Sequence, residues 1–362
     1  MSELLVVDAS GQAALIDLDT GERTRVGAGP PPRRPTPVLT AAWSPAGEWA
    51  AVAVASVEPG GPQELLVHDR HAPTARVLAA QLTAFYLCPS PSGRFLSHLS
   101  PGPLGLELGV SEVASGELTI IERGQPLFWA WSADSTRLAV HVADRLYQVA
   151  LDEPSRPATL LAEDLGSFIA PWWALDGSIA AVRDDRIVGI GPDGSATPLT
   201  DGPGPGRFAL DPDGRRLAHI DIDDDSVALV CTDLLTGERS VIGSERTAAF
   251  FWSPDGRRLA SLVMARPGVV QWLVWDGETT VRTAPFRPTS SWGRQVLPFF
   301  EQYSQSHSVW SADGEWLVAP SLDADGSSEA VAQRADGSPG DRRISGARLV
   351  WWAPGPPSVA RD

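Results

Sequence analysis

The sequence predicts an all-β chain built from one recurring hairpin. Three observations carry that reading: a Trp-Ser-x-Asp-Gly turn that recurs, a spacing of about 42 residues between most copies, and no 3.6-residue apolar period anywhere. The clearest copies are FFWSPDGRRL from Phe250 and SVWSADGEWL from Ser308. Six more follow the same frame: AAWSPAGEW from Ala41, LCPSPSGRF from Leu87, WAWSADSTRL from Trp129, PWWALDGSI from Pro171, FALDPDGRRL from Phe208 and VWWAPGPPS from Val350. The Trp position falls at Trp43, Pro89, Trp131, Trp173, Leu210, Trp252, Trp310 and Trp352, at intervals of 46, 42, 42, 37, 42, 58 and 42 residues.

Each unit can be justified element by element. An apolar first strand ends at the Trp. A tight turn follows because Gly accepts positive φ and Asp bonds its own backbone. The second strand then places an apolar residue three positions after the turn Gly or its equivalent (Ala50, Leu96, Leu138, Ala180, Leu217, Leu259, Leu317). A mostly small one comes next (Ala51, Ser97, Ala139, Ala181, Ala218, Ala260, Val318), which lets neighbouring sheets approach closely. A third strand such as LLVHD, LYQVALDE or WLVWDGE leads to another turn, and a short polar fourth strand such as RSVIG or TVRTA completes the unit. Four antiparallel strands in about 40 to 45 residues are the signature of a β-propeller blade.

Closure is legible as well. The N-terminal ELLVVDASGQAALIDLDTGERTRVG supplies three strands without the Trp-turn strand, and the C-terminal ARLVWWAPG is that missing strand. Pairing the two ends makes one blade and removes the edges an open array would carry. The expectation is a single β-propeller domain over residues 1–362 with eight four-stranded blades. Seven is the alternative if the PPSVARD tail competes for a second-strand place.

The 362 residues suffice for a large core. Twenty-nine basic against 45 acidic residues give a net charge of −16, which repels phosphate backbones and anionic lipid. Nucleic acid is therefore not an expected partner. The chain has no Lys, so Schiff-base chemistry is excluded, and Cys88 and Cys231 lack zinc-site or disulfide-scaffold spacing. The N-terminus does not read as a signal peptide, and no run approaches the ~18 apolar residues of a membrane span. The expectation is a cytoplasmic protein without membrane insertion.

The WSPDGRRLA and WSADGEWL stretches, with their TGE turns, resemble the TolB-type, WD-repeat-like units of bacterial β-propellers, also seen in propeller domains of prolyl oligopeptidase-like peptidases. The resemblance covers essentially the whole chain. It implies the fold and leaves activity open, since such propellers serve as scaffolds, ligand binders and occasional enzymes. Against that resemblance, neither a secretion signal of the kind periplasmic TolB carries nor a peptidase hydrolase domain is expected here.

The 58-residue interval marks an insertion, residues 286–303, expected to join two blades as a loop or lid on one face. It carries Trp292, Arg294, Phe299, Phe300, Glu301 and Tyr303, with His307 just after it. A second cluster comes from the positions before the motif Trp: Trp129, Trp172, Phe208, Phe250, Phe251 and Trp351, with Arg207 able to stack a ligand. The competing reading packs these aromatics between blades and makes the insertion an ordered plug.

The remaining polar candidates are weaker. His98 and His219 share a register and are expected in the core with hydrogen-bond partners. His68 and His71 in HDRHAP have metal-like spacing without further ligands, and the acidic run HIDIDDDS lacks an EF-hand's Gly and Glu. The Pro-rich GAGPPPRRPTP reads as a stiff connection. No metal or cofactor is expected, and no nucleotide or hydrolase motif is present.

Two functional classes follow. The first is a scaffold binding a protein, a peptide or a small apolar ligand on its top face or in a central channel. The second is a cofactor-independent lyase, cyclase or hydrolase acting on an apolar small molecule, with His307, Tyr303, Glu301 or Arg294 as acid–base groups.

Overall fold

The computed structural model describes residues 3–27, 37–55, 63–103, 105–152, 158–166, 168–200, 206–223 and 226–354. Most of the Pro-rich connection, the C-terminal tail and Asp224 and Asp225 of the acidic run lie outside the described residues.

Eight four-stranded antiparallel sheets build the chain, which makes it a β-propeller of eight blades. Blade 1 joins the two ends of the sequence: Glu3–Asp8, Ala13–Asp17 and Arg23–Val26 are completed by Ala347–Trp352, with Leu5 opposite Trp351 and Val6 opposite Val350. The closure read from the sequence is therefore the one observed.

Two compact units divide the chain. Unit 1 comprises Met1–Arg123, Phe286–Gln295 and Ser306–Asp362; unit 2 comprises Gly124–Pro285 and Val296–Gln305. Unit 1 holds blade 1, blade 2 (Val38–Trp43 to Arg76–Ala80), blade 3 (Tyr86–Pro89 to Leu118–Gly124) and blade 8 (Arg287–Pro288 to Arg342–Ser345). Unit 2 holds blade 4 (Leu127–Trp131 to Thr159–Ala162), blade 5 (Trp172–Trp173 to Ala196–Pro198), blade 6 (Phe208–Leu210 to Arg239–Gly243) and blade 7 (Thr247–Trp252 to Thr280–Arg282).

The repeated positions do the same job in every blade. Both columns of the second strand, from Ala50 and Ala51 to Leu317 and Val318, are buried throughout. Cores form between adjacent blades: Ala42, Leu65, Leu87 and Leu96 pack blade 2 on blade 3, and Ala139, Leu146, Ile179 and Val188 pack blade 4 on blade 5. The motif Trp adds a directional tie in unit 2. Trp173 Nε1–H donates to the Ala130 carbonyl and Trp252 Nε1–H to that of Ala209, each at 3.2 Å, binding a blade to the first strand of the blade before it. Arg137 and Arg216 stack on these rings, 5.0 and 4.7 Å from the centroids.

One expectation is corrected. The insertion does not join two blades; it interrupts the first strand of blade 8. Arg287 and Pro288 pair with Leu322 and Ser321, the chain then leaves the sheet, and it returns where Trp310 bridges Leu317. The departing stretch is helical rather than a plain loop: α1 (Ser290–Gln295), a 3₁₀ turn (Leu297–Phe299) and α2 (Phe300–Tyr303). These elements are too short to leave a periodic signature in the sequence. Among the described residues no helix is long and apolar enough to cross a membrane.

Candidate functional site

In unit 2, residues 296–305 place one side chain against the inner end of each of four blades. The Gln302 carboxamide lies along the first strand of blade 4. Its Oε1 accepts from the Trp129 N–H at 3.0 Å and its Nε2 donates to the Trp129 carbonyl at 2.8 Å, so a side chain serves as a missing strand. Gln305 Nε2 donates to the Pro171 carbonyl of blade 5 at 3.1 Å.

Blade 6 contributes Arg207, whose Nε donates to Glu301 Oε1 at 2.8 Å and whose Nη2 donates to the Leu297 carbonyl at 3.2 Å. The same guanidinium lies 4.5 Å from the centroid of the Phe300 ring. Blade 7 offers Phe250 and Phe251, whose ring centroids are 4.6 and 6.1 Å from that of Phe300, both edge-on. This arrangement suits aromatic quadrupoles, with a cation over one face and ring edges around it.

Unit 1 holds the other half of the insertion. The Thr289 backbone N–H donates to the Pro320 carbonyl of blade 8 at 3.2 Å, its hydroxyl to the Arg348 carbonyl of blade 1 at 3.3 Å, and Gln295 Nε2 to the Leu39 carbonyl of blade 2 at 3.4 Å. Trp292 is fully buried. His307 links two blades: its Nε2 donates to the Ala41 carbonyl at 3.0 Å and its ring stacks edge-on to Trp351 at 4.8 Å, while its Nδ1 pairs with the Ser306 hydroxyl at 2.6 Å. The Ser306 hydroxyl also meets the Tyr86 hydroxyl at 2.7 Å.

The electrostatics follow from this burial. His307 is 2 % exposed, and desolvation pushes its pKa down to about 3, so it is held neutral with both nitrogens engaged. Burial raises the Glu301 carboxyl above the usual range, and the adjacent Arg207 opposes that shift without cancelling it. Burial likewise pushes the thiols of Cys88 and Cys231 up to about 12.

The structure brings Arg207, Phe250, Phe251, Phe300, Glu301 and the Trp129 backbone together in unit 2, and His307 and Trp351 together in unit 1. It does not bring Phe208 or Trp172 to that aromatic group. Both pack in the core between blades 5 and 6 with Val182, Ile187 and Leu217. Tyr303 is buried, and Arg294 is exposed at the end of α1.

His219 has its expected partner, the Thr232 hydroxyl at 3.1 Å. For His98 the expectation of a partner is corrected: neither ring nitrogen has one among the described residues. Ser111, which occupies the place of Thr232, keeps an equally unpaired buried hydroxyl. His68 is buried and His71 exposed, so the two share no site, and Asp221 pairs with Arg239. Among the described residues no three His, Cys, Asp or Glu gather to hold a metal.

Sequence reasoning missed Gln302 and Gln305, which carry no motif, and Phe128 and Phe168 of unit 2, though it had singled out Phe299. Phe168 is 69 % and Phe299 39 % exposed, and their rings lie 6.5 and 6.4 Å from that of Phe128.

No family model and no curated protein sequence matches the chain. Among solved structures, dihydro-heme d1 dehydrogenase NirN in complex with DHE is similar over 97 % of this chain and 74 % of its own, at 15 % identity and a TM-score of 0.64. A eukaryotic initiation factor is similar over 98 % and 99 %, at 12 % identity and a TM-score of 0.62. An oligogalacturonate lyase in complex with manganese is similar over 92 % and 97 %, at 16 % identity and a TM-score of 0.58. At these identities the likeness is one of fold, and it spans both binding proteins and enzymes.

Proposed function

We propose that the chain is a non-catalytic binding scaffold that engages a protein or peptide through the exposed aromatic side chains of unit 2. The carrying observation is a contrast. His307 and Glu301 are buried and bonded to protein partners, whereas Phe168 and Phe299 stand open to solvent next to Phe128. Exposed aromatic clusters are costly to leave in water and are enriched at contact hot spots. A small apolar ligand at the same rings is the alternative occupant.

The enzymatic reading draws less support. A base whose pKa lies near 3 has little affinity for a proton at neutral pH, and His307 has no nitrogen left for a substrate. The net charge of −16 argues against nucleic acid as the partner, and two buried cysteines outside any disulfide suit the reducing cytoplasm in which we place the protein.

The test is a Phe168→Ser/Phe299→Ser double variant. Proteins recovered on the wild-type chain from the cells that make it should fall at least 10-fold on the variant, with circular dichroism unchanged. Equal recovery of every partner by a folded variant would sink the reading. Loss of a dimer in light scattering, with no other protein recovered, would assign the surface to self-association instead.

A further inference from the structure

The contacts under residues 296–305 have the make-up of a recognition site rather than of filler. A plug selected only to occupy space would be at least as stable with apolar side chains, because burying an ion pair costs desolvation that the pairing rarely exceeds. Here the chain buries a carboxylate, Glu301, beside Arg207 and sets an aromatic ring, Phe300, between that guanidinium and Phe250 and Phe251. The wall is supplied by blades far apart in sequence. The occupant is a four-residue helix, α2, that cannot hold its shape alone and is ordered by what it touches. Arg207 keeps 34 % of its side chain exposed, so the wall of this site reaches solvent.

We propose that unit 2 contains a binding site for a partner segment in which an aromatic residue is followed by an acidic one, and that the chain's own Phe300 and Glu301 occupy it as an intramolecular competitor. Arg207 reads the carboxylate and one face of the ring, Phe250 and Phe251 read its edges, and the Trp129 backbone takes a side-chain amide. The inference rests on the binding reading in treating the protein as a binder. It places a second site beneath the insertion, apart from the exposed Phe168 and Phe299.

The experiment uses the full chain and a fluorescent peptide, LPFFEQYSQ, copied from residues 297–305. The peptide should bind a Phe300→Ala/Glu301→Ala variant at least 10-fold more tightly than the wild type, whose own segment competes. Adding Arg207→Ala should weaken that binding at least 10-fold. A folded variant that fails to bind, or binding indifferent to Arg207, would overturn the proposal. Should the double variant not fold, hydrogen exchange on the wild type decides. Excess peptide must speed exchange of the 299–305 amides, and unchanged rates would refute the competitor role. Phe168→Ser, which leaves residues 296–305 intact, should bind the peptide as the wild type does, so the two readings can fail separately.

Discussion

Gln302→Ala is the sharpest test of the idea that a side chain replaces a strand in unit 2. Trp129 is fully buried, and its N–H and C=O both point at the Gln302 carboxamide, at 3.0 and 2.8 Å. Truncation leaves two buried backbone groups without partners, at roughly 1–3 kcal/mol each, so the expected loss is about 2–6 kcal/mol. That is a large share of the ~5–15 kcal/mol available to a typical domain. Urea unfolding followed by Trp fluorescence, with the m-value checked for constancy, measures it directly. Gln302→Glu sharpens the assay, because the carboxylate keeps the acceptor but turns the donor into a second acceptor facing the Trp129 carbonyl. Its folded-state pKa should rise above the unfolded value, so the stability it contributes is present at low pH and lost as pH rises. The deficit of this variant should therefore shrink on acidification. A loss below 0.5 kcal/mol for Gln302→Ala, or a Glu variant whose deficit ignores pH, would refute the reasoning.

Three further outcomes are expected. Gly214 and Gly177 both have positive φ, 69° and 82°, but a Cβ at Gly214 would stand 2.7 Å from the Leu175 backbone nitrogen while one at Gly177 meets open space. Gly177→Ala should cost about 1–2 kcal/mol from backbone strain and Gly214→Ala measurably more, and equal thermal shifts would contradict this. His98→Leu removes two unpartnered nitrogens and should stabilise by about 1–3 kcal/mol at pH 7. Because burial holds the His98 pKa at about 4, wild-type stability falls as pH drops from ~6.5 towards that value, so the variant's advantage should widen at pH 5 in parallel denaturant curves. Glu301, with its pKa raised, stabilises fully only while protonated. The stability of Glu301→Gln relative to wild type should rise as pH climbs through the carboxylate range, and a flat difference from pH 4 to 8 would count against the buried carboxylate.

The repeat made most of the fold legible because a propeller blade writes its geometry locally: turn, column of small residues, motif Trp. The closing blade could be read for the same reason, since Leu349–Trp352 is that strand with no unit around it. Blade 8 was misjudged because Trp310 keeps the motif, while the strand before it has been replaced by a distant pair, Arg287 and Pro288, that no pattern marks. The inner aromatics were found by composition, but alternation along a strand could not separate Phe250, which meets Phe300, from Phe208, which packs between blades. Gln302 and Gln305 were invisible because their role depends on backbone groups more than a hundred residues away.

The interruption of blade 8 also sets an order of events during synthesis. All four sheets of unit 2 have been synthesised once Arg282 is added, yet Trp129 and Pro171 wait for side-chain partners, and Phe250 for its covering ring, that arrive only with residues 300–305. A nascent chain halted before that point carries exposed aromatics and open backbone edges, the features that recruit chaperones and seed aggregation. A fragment cut at Pro285 inherits the same deficiency permanently. Any attempt to produce unit 2 alone must therefore supply the 296–305 segment, in cis or as a second chain.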